Sequence, residues 1–136
     1  MKLTPVAIAE ANAFVDTVFG ANPHAMNYEL IPIAVSTIPE AATVGMTEAQ
    51  AREKFGESVQ CYRHEFKPLF YALTHESEKT FIKLVVEGQT ERVLGVHMVG
   101  EFASEIIQNI ALALKLGATK RDLVPEGTPV LPVEAT

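Results

Sequence analysis

The chain has 136 residues, of which 48% are apolar, and a formal charge of −6 from 17 acidic and 11 basic side chains. This length suits one domain with a real core, and it is too short for a two-domain nucleotide-binding enzyme. Charges of one sign form no block, which argues against a nucleic-acid surface. The sequence contains no apolar run of about twenty residues and no signal-peptide core. We therefore expect a cytoplasmic protein with neither nucleic-acid nor membrane partners.

Cysteine and histidine content limits the chemistry of the chain. Cys61 is the single cysteine, so neither an internal disulfide nor a two-thiol redox pair can form. We expect it to be a small apolar residue that fills a strand. The histidines stand far apart, none at metal-ligand spacing, so no metal site is predicted. They are His24, His64, His75 and His97. No nucleophile elbow or phosphate-binding loop is present either.

The first third of the chain predicts a helix and then a strand. Thr4 suits the N-cap of the helix and Pro5 its first position, where a missing N–H costs nothing. The helix should run to about Phe19, with Gly20 in the left-handed conformation that ends it. Residues 31–36 then read as a strand entered through a proline.

The next segment predicts a helix over residues 49–55. Thr47 and Gln50 form a capping box ahead of this helix, and Gly56 ends it.

Three further strands are predicted, two of which form a hairpin. The first is Val59–Phe66. Thr80–Glu87 alternates in polarity, and the short connection after it indicates that residues 92–99 pair with it antiparallel. We expect the buried face of this hairpin to comprise Ile82, Leu84, Val86, Leu94, Val96 and Met98.

A long helix is predicted over residues 101–123. Apolar side chains cover about half of its circumference, whereas a surface helix needs only about 100°. They are Phe102, Ala103, Ile106, Ile107, Ile110, Ala111, Ala113 and Leu114. One part of this surface should cover the sheet, and another should contact a second domain or subunit. The alternative is a helix buried on two sides within one domain.

The order of elements predicts an α+β fold, with an antiparallel sheet of about four or five strands and helices chiefly on one face. We expect residues 1–136 to form one domain. Its first 20 residues would be the N-terminal helix, and residues 123–136 an atypical proline-rich tail.

Several segments carry a family resemblance: LTPVA at residues 3–7, IPEAATVGMTE at residues 38–48, GVH at residues 95–97, ASEIIQ at residues 103–108 and KLGATK at residues 115–120. They resemble the C-terminal dimerisation domain of the pyridine nucleotide-disulfide oxidoreductases, closest to the glutathione reductase branch. The resemblance implies a short strand within residues 38–48, before the second helix. The similarity runs from Leu3 to about Asp122 and does not include the tail.

The resemblance implies FAD and NADPH as cofactors of a parent enzyme, but no cofactor for this chain alone. It implies that Thr4 and Pro5 would lie near the flavin in an intact parent. Leu69 and Phe70 would lie near the disulfide substrate, where the family has Met and Tyr. The family's tail histidine, an acid-base residue, is missing, and Leu131 and Pro132 stand about where His-Pro would fall. No catalytic residue is therefore predicted.

The function implied is a non-catalytic dimerisation domain that pairs with a second copy of itself. In a parent it would also contact the FAD domain, which is absent here, as is the NADPH domain. The predicted interface residues are Phe102, Ile106, Ile107, Ile110 and Leu114. Two alternatives stay open. One is a stand-alone small-ligand-binding protein that reuses the fold, and the other is an engineered monomer whose tail covers the surface that the parent buries.

Overall fold

The chain folds into an antiparallel sheet with helices packed on it. The computed structural model describes residues 3–69, 71 and 78–124, and the backbone of residues 134–135. The elements are α1 (Thr4–Val18), β1 (Ile33–Val35), β2 (Ala41–Gly45), α2 (Glu48–Phe55), a 3₁₀ turn (Gly56–Ser58), β3 (Val59–Phe66), β4 (Thr80–Glu87), β5 (Val93–Val99), α3 (Ala103–Lys115), α4 (Lys120–Leu123) and β6 (Glu134–Ala135).

The strand order is β1-β2-β5-β4-β3-β6, with every pair antiparallel. The predicted hairpin of β4 and β5 lies at the centre. Five strands correspond to the predicted sheet, and β6 adds two residues at the edge beside β3. The α+β class is confirmed.

The main core lies between α3 and one face of the sheet. It forms because alternate residues of β2, β4 and β5 point to the same side, where they meet the buried side of α3. Its buried members are Ala42, Val44, Ile82, Leu84, Val86, Val93, Val96, Met98, Ala103, Ile107, Ala111 and Leu114. Five of the six residues predicted for the buried hairpin face belong to this set.

Leu94 is the exception, and the prediction for it was wrong. Val86 pairs with Val93 while Val85 pairs with Gly95, so β5 contains one extra residue. Such a bulge reverses the side-chain alternation beyond it. Val93 therefore enters the main core, and Leu94 packs against the opposite face of the sheet.

The opposite face carries a smaller core beneath α2. Its buried residues are Ala51, Val59, Cys61 and Val85, and Met46, Phe55 and Leu94 pack against them. Cys61 is buried in β3, as predicted, and burial raises the pKa of its thiol. The predicted capping box of α2 is present, and Gly56 ends the helix at φ +62°.

The start and end of α1 differ from the prediction. Leu3 is the N-cap residue, so Thr4 is the first helical residue and does not cap the helix. The helix starts earlier because the Leu3 carbonyl already accepts from the Ala7 N–H at 3.0 Å. At the other end, the N–H groups of Phe19 and Gly20 both donate to the Val15 carbonyl. Gly20 is not in the left-handed region, because these bonds close the helix without it.

The helix predicted over residues 101–123 is two helices. α3 ends at Lys115, where Gly117 adopts a φ of +80° and turns the chain away. Thr119 then starts α4 with a capping box of its own, in which the Asp122 carboxylate accepts from the Thr119 N–H at 2.8 Å. In the described part of the chain, no helix is long and apolar enough to cross a membrane.

Candidate dimer interface

α3 has two apolar stripes that run side by side along it. The first consists of Ala103, Ile107, Ala111 and Leu114, which are at most 3% exposed and pack on the sheet. The second consists of Phe102, Ile106, Asn109, Ala113 and Leu116, at alternating spacings of four and three residues. Phe102 is 65% exposed, Ile106 39% and Leu116 81%. We call this second set the outer stripe. It presents apolar surface that the described part of the chain leaves open.

The structure divides the predicted interface residues between the two stripes. Ile107 and Leu114 are fully buried against the sheet, so they are core residues and unavailable to a partner. Ile110 is partly buried against the same core. Phe102 and Ile106 are exposed and stay predicted interface residues.

Sequence reasoning missed three exposed residues of this surface. Leu112 is 63% exposed on the solvent side of α3, and Leu116 is the last member of the outer stripe. Asn109 lies at the middle of that stripe, and its side-chain amide donates to the Glu105 carbonyl at 2.9 Å. The alternating spacing of four and three residues was the signal that could have identified the stripe.

The structure describes three of the other positions predicted from the family resemblance. Thr4 and Pro5 are exposed at the start of α1. Leu69 is 87% exposed. Phe70, Leu131 and Pro132 lie outside the described residues.

His24, His64 and His97, the histidines in the described part of the chain, make separate contacts. His24 is exposed, and its ring nitrogen is 4.0 Å from Asp16. His64 stacks on Phe66. The ring nitrogens of His97 contact the Thr43 hydroxyl at 2.6 Å and the Met46 carbonyl at 3.1 Å, and burial lowers the pKa of this ring. His75 lies outside the described residues. Among the residues that are described, no group of three His, Cys, Asp or Glu side chains could hold a metal ion.

Glu48 at the start of α2 is the centre of an ionic cluster on the second face of the sheet. Its carboxylate accepts from Lys83 at 2.7 Å, from Arg52 at 2.9 Å and from Arg63 at 3.0 Å. The bonds from Lys83 and then Arg52 lower the pKa of Glu48 to about 2. The cluster ties α2 to β3 and β4, because its cations come from both strands and from the helix.

Replacing Glu48 by Gln is expected to lower the free energy of unfolding by about 1 kcal/mol at neutral pH, since three charge-assisted bonds weaken. The folded pKa lies below the ordinary value of 4.5. The contribution of the carboxylate is therefore complete above that value and is lost as the pH falls towards about 2. Thermal unfolding of both proteins between pH 7 and pH 2 measures the difference.

The matched control is Glu53→Gln, because Glu53 is an exposed carboxyl on the same helix with no ion pair to the described residues. It should change stability little at any of these pH values. If the difference in thermal stability between wild type and Glu48→Gln is as large near pH 2 as at pH 7, that result would contradict the assigned cluster.

An open groove of about 870 Å³ lies between residues 28–33 and the end of α2. Leu30, Met46, Phe55 and Leu94 contribute apolar walls, and Lys54 and Arg92 are among the charged residues that line it. This volume is in the range of small-molecule sites.

α3 packs one apolar stripe on the sheet and leaves a second one exposed, which is the kind of surface expected of a domain that associates with another chain. Residues 31–132 match the family model described as the pyridine nucleotide-disulphide oxidoreductase dimerisation domain, and the chain belongs to that family. The resemblance predicted from the sequence is thus confirmed.

Among the curated proteins, relatives named glutathione reductase are similar to this chain. The chain is 50% identical over 123 residues to the one from Nostoc sp., 49% over 122 residues to the one from Burkholderia cepacia and 42% over 126 residues to the one from Schizosaccharomyces pombe. Each comparison covers 90% of this chain and 27% of the relative. The chain therefore spans about a quarter of the length of the relatives it matches.

Proposed function

We propose that this chain is the self-association domain of a glutathione-reductase-like flavoprotein, and that it has no catalytic activity alone. The parent would reduce a glutathione-type disulfide with NADPH through FAD. The outer stripe of α3 is the observation that carries the proposal, and the family match supports it. A cytoplasmic location is also part of the proposal.

The outer stripe suits a pair of α3 helices that cross antiparallel about a twofold axis. Alternating spacings of four and three residues give the seam of a coiled coil. Phe102 and Leu116 each lie seven residues from Asn109. In an antiparallel pair Asn109 would therefore meet its own copy, while Phe102 meets the partner's Leu116. Such an interface is self-complementary, as twofold symmetry requires.

Asn109 would set the register of this pair. A single polar residue in an apolar seam disfavours shifted alignments, because any shift buries its amide against an aliphatic side chain. In this register Ile106 would lie next to the partner's Leu112 and Ala113, which would cover its apolar side chain.

Sedimentation velocity of the wild-type chain over a range of micromolar concentrations tests the proposed association. We expect a monomer–dimer equilibrium, with the dimer favoured as concentration rises. A chain that stays monomeric throughout would contradict the proposed function.

α1 would be the contact for the flavin domain of a parent. Exposed apolar residues cover much of this helix, and they are Ile8, Phe14, Val15, Val18 and Phe19, all at least 50% exposed. Because the chain spans only about a quarter of its relatives, a further domain is available in them to cover this surface. Their exposure supports a docking role.

The start of α1 fits one edge of a flavin. No side chain in the described part of the chain caps this helix, so the N–H groups of its first turn stay available to an acceptor. Thr4 would be the residue that holds that edge, next to Pro5. Bound flavin would supply electron transfer between NADPH and a pair of thiols.

We predict that the chain alone neither retains flavin nor reduces disulfides. One helix start offers few donors, and the only thiol is buried with a raised pKa. The test is to mix the protein with FAD, remove free cofactor, record the flavin spectrum and assay NADPH oxidation with oxidised glutathione. Stoichiometric retained flavin, or turnover that scales with protein and disappears in Cys61→Ser, would contradict the prediction.

The groove beside α2 favours a second candidate, a stand-alone small-ligand-binding protein. Its volume and apolar walls are the supporting observations. Fluorescence of the apolar dye 8-anilinonaphthalene-1-sulfonate tests it. Saturable binding by the folded chain that is lost in Leu94→Glu would favour this candidate, and absence of binding would favour the association domain. The remaining alternative, an engineered monomer, would instead stay monomeric in sedimentation and bind no dye in the groove.

A further inference from the structure

The N-terminal end of α3 is held by Glu40, a residue that lies 64 positions earlier in the chain. Its carboxylate accepts from the Ser104 N–H at 3.1 Å and from the Ser104 hydroxyl at 2.7 Å. Its backbone carbonyl accepts from the Gly100 N–H at 2.9 Å. Glu40 thus bonds to the chain on both sides of Phe102.

The segment needs such a partner because the helix does not cap itself. Phe102 is the N-cap residue, has no side-chain acceptor and adopts a left-handed φ of +59°. A bulky residue in this region is strained and stays there only when its surroundings hold it. An acceptor from elsewhere must therefore satisfy the first-turn N–H groups, and a carboxylate also matches the positive end of the helix.

The space around this segment is restricted as well. Gly100 has a φ of +156°, and a Cβ there would lie 2.5 Å from the Thr80 hydroxyl oxygen. The turn that carries Phe102 is therefore held by its contact with Thr80 of β4 and by its hydrogen bonds to Glu40. Two hydrogen bonds from Ser104 lower the pKa of the Glu40 carboxyl. The bond from the Ser104 hydroxyl has the larger effect, and the bond from the Ser104 N–H has the smaller one.

We propose that Glu40 is a positioning residue for dimerisation: by clamping Gly100 and Ser104 it directs the Phe102 ring outward to meet the partner's Leu116. This inference rests on the proposed function. Phe102 begins the outer stripe and is 65% exposed, so the described part of the monomer covers only a minor part of this residue, and its direction depends on how the turn is held. Without the clamp, the ring would have to be ordered at the moment of association, which weakens binding.

The dissociation constants of the 136-residue chain and of Glu40→Ala and Glu40→Gln, measured by sedimentation equilibrium, test this inference. We expect the constant to rise about tenfold for Glu40→Ala, the effect of losing a helix cap. Glu40→Gln should raise it only about twofold, because the amide oxygen still accepts from Ser104. The matched control, Glu53→Ala on α2, should leave it unchanged.

Thermal unfolding of the same variants in a monomeric Ile106→Asp background separates positioning from simple stabilisation. A dissociation constant equal to that of wild type in Glu40→Ala, with or without lost stability, would overturn the positioning role while leaving the dimer intact. A wild-type chain that never dimerises overturns both proposals. If Glu40→Ala does not fold, Ser104→Ala decides, because it removes only the hydroxyl donor. We expect Ser104→Ala to raise the dissociation constant of the dimer, and an unchanged constant would overturn the inference.

Discussion

Replacing Ile106 by Asp is expected to convert the dimer into folded monomers, with the dissociation constant raised at least about a hundredfold. A twofold interface would bury the introduced carboxylate twice, each time facing an apolar side chain without a partner. Ile106 is 39% exposed in the monomer, so the same change should cost little in folding. Sedimentation velocity and thermal unfolding of the variant measure the two effects separately.

The neighbouring residue, Ile107, provides the matched control for Ile106→Asp. Ile107 is fully buried against the sheet, so Ile107→Asp should destabilise or unfold the monomer itself. The two variants carry the same charge one residue apart on one helix. An Ile106→Asp chain that still dimerises, or an Ile107→Asp chain that folds as well as wild type, would contradict the assignment of the two stripes.

Truncating Leu84 to Ala should lower the free energy of unfolding by roughly 2–5 kcal/mol. Leu84 in β4 is 1% exposed, belongs to the main core and pairs with Val96 of β5. Removing its side chain leaves a cavity that tightly packed neighbours fill only in part. Urea unfolding in the Ile106→Asp background measures the loss without a contribution from association.

Leu94→Ala is the comparison for this core prediction. Leu94 is partly buried on the other face, so its truncation should cost clearly less. A loss well below about 1 kcal/mol for Leu84→Ala would mean that the opposite face of β4 carries the main core.

Much of the sheet could be predicted because its strands follow local rules. Val59–Phe66 and Thr80–Glu87 have the predicted bounds. The hairpin of Thr80–Glu87 with the strand that follows it could be predicted because alternation and a short connection specify it within one stretch of sequence. The side of Leu94 could not be predicted in the same way. It depends on an extra residue between Val93 and Gly95, which only the pairing with β4 reveals.

The candidate site was predicted only in part, for a similar reason. Periodicity showed that α3 is apolar over about half of its circumference, but it does not say which half meets the sheet. Tertiary packing decides that Ile107 faces inward and Ile106 outward. The bond between Glu40 and Ser104 joins residues 64 positions apart, and no short-range rule relates them.

Oxidative cross-linking of Asn109→Cys tests the central claim, that two α3 helices meet antiparallel about a twofold axis at residue 109. Wild type is the blank, because its only cysteine is buried. Gln108→Cys is the control, because residue 108 lies about 100° away on the helix wheel. We expect a disulfide-linked dimer for Asn109→Cys on a non-reducing gel and little for Gln108→Cys, since a disulfide needs Cα atoms within about 7 Å. Equal cross-linking of both variants, or none at residue 109, would contradict the proposed interface.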